Sequence, residues 1–259
     1  MKWIHYLIFE ISNDCNLASA HTPLCPIKDP ERYGNQKCDK ALSDGEIVRL
    51  ASAIYEEYGF RGFVGFHFYN EPTIAWDRMM LVIREIKNTI RPGIVPRFGL
   101  LSNGVLLIPE KIEGLKQFHQ IAITNYQNRD WSWLNGLAPY IDIIKPGLDN
   151  RVNPVPQYDN VSCGRIFNEM IIDYYGNVHP CCMDWRGEIP LGNVQDEAIS
   201  HIIDRYQKLR SSIYPMSPMA PVKCKTCFAR AGGNISTIDC SLSETIRQEV
   251  AQALSNKRY

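Results

Sequence analysis

The sequence lacks an excess of charge of either sign. Lysine plus arginine and aspartate plus glutamate number 28 each, and the isoelectric point is about 7.0. A protein that binds nucleic acid usually carries a basic patch or an overall positive charge. The balance therefore argues against nucleic acid as a partner.

Long hydrophobic runs and secretory signals are missing as well. No stretch approaches the roughly 20 apolar residues of a membrane-spanning helix. The first residues, "MKWIHYLIFEIS", are interrupted by His5 and Glu10, and no small-residue cleavage site follows them. We expect a cytoplasmic protein without a membrane partner.

Cysteine, by contrast, is abundant. The chain has nine cysteines, an odd number that cannot pair completely into disulfides. In a reducing compartment spaced cysteines are more often metal ligands than bridges. A metalloprotein is therefore the first hypothesis.

Residues 1–149 show the alternation of a parallel α/β domain. Strand-like runs such as "KWIHYLIFEIS", "GFVGFHFYNEP", "PRFGLLSNG" and "YIDIIKPG" alternate with helical patterns, of which "PEKIEGLKQF" is one. The first helix opens on a capping box formed by Ser43 and Glu46. About five strands are too few for a closed barrel of eight strands. The pattern predicts an open, partial barrel.

Polar residues follow the predicted strands of this region. In parallel α/β folds, ligands bind beyond the carboxyl ends of the strands, so these residues should surround one site. They are Cys15, Asn70, Glu71, Ser102, Asn103, Thr124, Asn125 and Lys145.

The remaining cysteines lie beyond a proline- and asparagine-rich segment, 150–160, which resembles a linker. "FNEMIIDYYGNVHPCC" predicts a hairpin that turns at Gly176 and Asn177, and "CKTC" supplies two thiols from one turn. Such thiols suit a tetrahedral zinc ion or an iron–sulfur cluster, and spacing alone does not separate these from inert thiols.

Several motifs together resemble those of radical S-adenosylmethionine (SAM) enzymes. "CNL" comes directly after the first strand, "GFHFYNEP" forms the end of the second, with His67 inside it, and "SNG" ends the third. The run from "CGRIFNEMIIDYYGNVHPCC" through "LGNV" to "CKTC" is similar to the twitch or SPASM domain that holds an auxiliary [4Fe–4S] cluster. The resemblance covers essentially the whole chain, and it includes the twitch-domain dehydrogenases that oxidise an aminocyclitol.

This resemblance implies a fold and two clusters. A partial radical SAM (β/α) barrel, 1–149, would be followed by a small iron–sulfur domain with a β-hairpin and a helix, 150–259. Cys15, Cys25 and Cys38 would hold the [4Fe–4S] cluster that binds SAM. Their C-x9-C-x12-C spacing departs from the usual CxxxCxxC, because Ser19 stands where the second cysteine is expected, and His21 competes with Cys38 as third ligand.

Further roles follow from the same resemblance. Arg151 would handle the substrate, while Cys182 and Cys240 would be spare thiols or hydrogen donors to a substrate radical. From the residues alone, His67 is predicted to be a packed core histidine, and an ordinary structural role stays open for Glu71 as a capping carboxylate and for Ser102 in a turn. The auxiliary cluster would be held by Cys163, Cys181, Cys224 and Cys227, and the SAM cofactor would be contacted by Tyr69, Asn70, Glu71, Ser102, Asn103, Thr124 and Asn125.

The expected function is a radical SAM oxidoreductase. It would abstract hydrogen from a small polar substrate (a sugar, a cyclitol or a nucleoside-like molecule), with the auxiliary cluster as electron acceptor and a flavodoxin or ferredoxin as reductant. Three alternatives stay open: a redox-neutral epimerase that uses Cys240 or Cys182, a peptide-modifying SPASM maturase, and a zinc-stabilised binding protein.

Overall fold

A computed structural model describes residues 1, 4–18, 25–29, 32, 40–144, 163, 165–213, 218–225 and 227. Cys38, Arg151 and Cys240 lie outside these residues, as do Ser19, His21, Lys145 and the 150–160 segment. Among the helices of the described part, none is long and apolar enough to cross a membrane.

Seven strands form one open sheet in the order β5-β4-β3-β2-β1-β6-β7. All neighbouring pairs are parallel except β6 and β7, which form an antiparallel hairpin. The strands are β1 (Tyr6–Phe9), β2 (Phe63–Gly65), β3 (Arg97–Ser102), β4 (Gln120–Thr124), β5 (Tyr140–Ile144), β6 (Glu169–Ile172) and β7 (Val178–His179). The predicted open parallel α/β architecture is confirmed.

Three helices lie between successive parallel strands, namely α1 (Asp44–Glu56), α2 (Trp76–Thr89) and α3 (Ile112–Leu115). Two more, α4 (Ile199–Ile213) and α5 (Val222–Lys225), follow β7. The capping box at the start of α1 is confirmed: Glu46 N–H donates to the Ser43 hydroxyl, and Ser43 N–H donates to the Glu46 carboxylate.

Two predicted elements are shorter than the sequence indicates. "PEKIEGLKQF" forms a 3-10 turn and the single turn of α3, and the second strand ends at Gly65, so that His67 lies beyond it. Gly114 explains the short helix, because glycine weakens a helix interior and here lets the indole of Trp76 approach to 2.5 Å from where its Cβ would stand.

The sheet has one apolar face and one mixed face. Residues in alternate positions pack into the main core together with α1 and α2; from the strands these are Leu7, Phe9, Val64, Phe98, Leu100, Ile121, Ile123, Met170 and Ile172. The opposite face, called the open face here, presents the other alternate positions. It carries a small apolar cluster around Tyr6, Ile8, Phe63 and Ile171, and beside it glycines and a glutamine.

Candidate active site

Glu71 joins the ends of β2 and β3. Its side chain is buried, and one carboxylate oxygen accepts hydrogen bonds from Thr73 N–H (3.0 Å) and from the Ser102 hydroxyl (2.7 Å). The other oxygen accepts from Asn103 N–H at 2.7 Å. The predicted convergence of these strand ends is therefore present, and Glu71 both caps the turn after Pro72 and links the two ends.

Cys15 lies against the same cluster. The Asn103 amide nitrogen is 3.9 Å from the Cys15 sulfur and donates to the Asn16 side chain at 2.8 Å, while Glu71 N–H donates to Asp14 C=O at 2.9 Å. Burial raises the pKa of the Cys15 thiol, a backbone hydrogen bond from Leu17 opposes this, and the neighbouring Cys25 adds to the rise.

The Asn70 side chain is folded back on its own loop. Its oxygen accepts from Phe68 N–H (2.8 Å), and its amide nitrogen donates to Phe66 C=O (3.1 Å) and to the Ser12 hydroxyl (3.2 Å). The neighbouring Tyr69 donates its phenol hydrogen to the backbone C=O of Cys182. The "FHFYNEP" loop is thus fixed between the segment that follows β1 and the second cysteine region.

Thr124 and Asn125 end β4, as predicted, but the Asn125 side chain is engaged locally. Its oxygen accepts from Arg129 N–H, and its nitrogen donates to Arg129 C=O, both at 2.9 Å. A role in cofactor binding for Asn125 would require these two hydrogen bonds to be exchanged. Thr124 is half-buried at the same edge of the sheet.

The described cysteines are all free thiols, which excludes disulfides among them; they are Cys15, Cys25, Cys163, Cys181, Cys182, Cys224 and Cys227. In the second region, Cys163 and Cys224 pack against the main core. Burial raises the pKa of the Cys163 thiol, and the nearby Cys227 raises it further. Burial also raises the pKa of Cys181 well above its usual value, with added repulsion from Cys182, Glu169 and Cys163.

These thiols are suitable donors for iron, but the described residues do not form a closed coordination shell. Within the described part of the chain, no three histidine, cysteine or acidic side chains are close enough to hold a metal ion. Only the donor type fits an iron–sulfur cluster in both regions, because thiolates are its usual ligands. Cys38, the third thiol predicted for the first region, lies outside the described residues.

Two features of the site are not evident from the sequence, and the first is the set of hydrogen bonds made by Arg78. Arg78 on α2 donates to Ile11 C=O (2.6 Å), to Leu42 C=O (2.8 Å) and to the Asp44 carboxylate (2.6 Å), and so fixes both ends of the segment that carries the first three cysteines. A guanidinium can make three such bonds at once. Nothing in the spacing of Arg78 on its helix distinguishes it from a surface arginine.

The second missed feature is a buried charge pair beside the "FHFYNEP" loop. Glu10, at the end of β1, is paired with Arg32, and both side chains are at most 3% exposed. Glu10 also accepts hydrogen bonds from Tyr69 N–H and Tyr174 N–H. A charged residue at the end of an otherwise apolar strand is the signal that could have predicted it.

The chain is similar to known iron–sulfur and SAM-dependent proteins. Residues 163–228 match the family model of SPASM, an iron–sulfur cluster-binding domain. The chain is 24% identical over 239 residues to an S-adenosyl-L-methionine-dependent 2-deoxy-scyllo-inosamine dehydrogenase of Niallia circulans, a match that spans 84% of this chain and 90% of that protein. The predicted resemblance is confirmed. The chain is therefore similar, over most of its length, to enzymes of the radical SAM type.

Solved structures agree with the fold of this chain. BtrN in complex with AdoMet and 2-DOIA matches with a TM-score of 0.61 and 21% identity, over 81% of this chain and 87% of that one. BtrN in an open conformation matches with the same TM-score of 0.61 and 19% identity, over 86% of this chain and 92% of that one. At these identities the likeness establishes the fold.

Proposed function

We propose that the protein is a radical SAM oxidoreductase that oxidises a carbinol carbon of a small polar substrate, such as a cyclitol or aminocyclitol. The observation that carries the proposal is the convergence of Cys15, Glu71, Ser102 and Asn103 at one edge of a parallel sheet, in a chain whose 163–228 segment matches an iron–sulfur domain. The dehydrogenase named above supports the substrate class.

Two groups of cysteines would hold the two [4Fe–4S] clusters. Cys15, Cys25 and Cys38 would hold the cluster that binds SAM, in the partial barrel of residues 1–149. The domain of residues 150–259 would hold the auxiliary cluster through Cys163, Cys181, Cys224 and Cys227. When bound, these groups supply a 5′-deoxyadenosyl radical and an acceptor for one electron.

The chain's own residues would bind and orient the reactants. Strand-end groups at Tyr69, Asn70, Glu71, Ser102, Asn103, Thr124 and Asn125 would surround SAM. Arg151 would bind the substrate through its guanidinium. The substrate would lose one hydrogen atom to the radical, then one proton to a base and one electron to the auxiliary cluster, so that an alcohol becomes a carbonyl. Flavodoxin or ferredoxin would supply the electron that starts each turnover.

The decisive experiment is anaerobic reconstitution followed by turnover. We expect about seven to eight irons per chain, and 5′-deoxyadenosine when SAM and dithionite are added. With 2-deoxy-scyllo-inosamine as probe, we expect a product that has lost two hydrogen atoms. About four irons would leave a single cluster, and zinc without sulfide would favour the binding-protein alternative.

The mass of the product separates oxidation from epimerisation. A product that retains the mass of the substrate, and that carries deuterium from solvent, would identify a redox-neutral enzyme with Cys182 or Cys240 as hydrogen donor. Loss of that deuterium in Cys240→Ala or Cys182→Ala would then assign the donor. Modification of a peptide instead of a cyclitol would identify a maturase.

Ligand variants test the unusual spacing of the first cluster. We expect Cys38→Ala to abolish SAM cleavage and to lower the iron content by about half, with His21→Ala as the matched control. The reverse pattern would identify His21 as the third ligand. Cys224→Ala and Cys227→Ala should lower the iron content while 5′-deoxyadenosine formation continues.

A further inference from the structure

The open face of the sheet has a hollow at its centre. Gly65 on β2 pairs with Gly99 on β3, so two adjacent strands present no side chain at the same level. Ile8 lies beside this pair on one side and Gln120 on the other. A sheet face normally fills such positions with branched or aromatic side chains, and consecutive glycines across strands often mark a close approach of another group.

His67 lies over this hollow. Its ring atoms Nδ1 and Cε1 are 3.1 Å from where a Cβ of Gly65 would stand, so the glycine is what admits the imidazole. The side chain is 7% exposed. Among the described residues neither ring nitrogen has a hydrogen-bond partner.

A buried imidazole destabilises the folded protein unless its ring nitrogens find hydrogen-bond partners, because burying a polar group without a hydrogen bond is unfavourable in proteins. Burial also lowers the pKa of His67 to about 4, so that the ring is neutral at physiological pH. A neutral imidazole offers one N–H donor and one acceptor nitrogen, which is the complement of a hydroxyl group.

The space beside the ring is small. His67 lines a cavity of about 20 Å³ together with Tyr6, Gly99, Leu101, Gln120 and Ala122. A cavity of this size admits about one water molecule or one hydroxyl group. It lies beside β3 and β4, and Thr124 ends β4 in the same alternate set as the cavity residues Gln120 and Ala122.

We propose that His67 is a specificity-determining residue that binds one hydroxyl group of the substrate in this cavity. The proposal rests on the proposed function for the existence of a hydroxylated substrate. The proposal adds that this hydroxyl is recognised on the open face of the sheet. The residue that binds it, His67, is one that the sequence pattern assigns to the core.

The test measures binding without turnover. Reconstituted holoenzyme with SAM, and without reductant, is titrated calorimetrically with 2-deoxy-scyllo-inosamine, myo-inositol, scyllo-inositol and monodeoxy derivatives of each. For the wild type we expect one monodeoxy derivative to bind about 10-fold more weakly than its parent, because a hydrogen bond to His67 is lost. In His67→Phe the parent should bind about 10-fold more weakly, and the two ligands should become equal.

Two further variants separate recognition from folding. Gly99→Ala leaves His67 intact, and its added Cβ would meet Tyr6 and Phe63 at ordinary distances of 3.5 and 3.6 Å, so the fold should be kept while the hollow is reduced. We expect it to weaken binding of the parent but not of the sensitive derivative. His201→Phe, on the exposed side of α4, is the matched control and should bind like the wild type.

Several outcomes would overturn the proposal. A uniform loss of affinity for all ligands in His67→Phe would show a structural role, and unchanged affinity would show that the ring faces only water. Failure of the wild type to bind any of the cyclitols would also refute it. Formation of 5′-deoxyadenosine by the same preparation with dithionite tests the radical SAM activity separately, so failure of one does not imply failure of the other.

Discussion

Replacing Glu71 by glutamine tests whether this carboxylate holds the strand ends together. Glu71 is 2% exposed, and its two oxygens accept hydrogen bonds from Thr73, Ser102 and Asn103. A glutamine of the same shape has one oxygen and one amino group. Whichever way the amide is turned, at least one donor of the chain then faces another donor.

The size of the effect follows from these contacts. A hydrogen bond to a charged group contributes about 1.5–3 kcal/mol, and a buried donor left unpaired costs about 1–3 kcal/mol. If the amide oxygen of the glutamine points towards Thr73 and Ser102, the hydrogen bond that is lost is the one from Asn103 N–H. We therefore expect Glu71→Gln to lower the free energy of unfolding by about 3 kcal/mol, or Tm by about 6–12 °C for a chain of this size.

The assay is thermal unfolding of the reconstituted protein under anaerobic conditions. Glu113→Gln is the matched control, since Glu113 pairs with Lys116 on the surface and its side chain is 83% exposed. An exposed pair of this kind contributes at most about 1 kcal/mol, so Tm should change by only a few degrees. If Glu71→Gln lowered Tm no more than this control, the carboxylate would not link the strand ends, and its role would have to be in binding alone.

Three more predictions concern other parts of the chain. Gly104→Ala should lower Tm much more than Gly93→Ala. Both glycines have positive φ, but only the Cβ at Gly104 would stand 2.5 Å from an indole ring. The difference in Tm between the two variants therefore measures the steric clash alone, and equal Tm values would refute it. Arg78→Lys should speed the loss of iron to a chelator from the first cluster, because an ammonium cannot keep all three of its bonds, and unchanged release would show that the loop ends are held otherwise. Cys182→Ala should leave the iron content unchanged whereas Cys181→Ala should lower it, and equal iron loss in both would make Cys182 a ligand.

The order of strands and helices could be read from the sequence because its local signals agree with the tertiary structure. The capping box at Ser43, the helical spacing in α1 and the short apolar runs of β1, β3, β4 and β5 each report on a few neighbouring residues. The hairpin turning at Gly176 is confirmed for the same reason. The pairing of β6 with β1 could not be predicted, because it joins residues about 160 positions apart and leaves no local pattern.

The candidate site, too, could be predicted from the sequence only in part. The polar ends of the strands were predictable, since parallel strands bring their carboxyl ends to one edge of the sheet. The partners of each side chain were not: Glu71 bonds to the chain itself, and Asn125 caps its own loop. His67 shows the limit most clearly. A histidine among aromatic residues is predicted to pack in the core. Only the folded sheet shows that Gly65 and Gly99 lie next to each other and leave space beside the His67 ring.

The pairing of β6 with β1 also explains how the two cysteine regions are held together. Because β6 continues the sheet next to β1, the turn that carries Cys182 is placed against the "FHFYNEP" loop, where Tyr69 donates to Cys182 C=O. On the other side of this turn, the indole N–H of Trp185 and the guanidinium of Arg186 donate to Asp29, which follows the Cys25 turn. Each cysteine region is therefore positioned partly by hydrogen bonds from the other. In the oxidation proposed above, an electron leaving the substrate would need an acceptor at a fixed, short separation, and these hydrogen bonds are what would keep that separation constant.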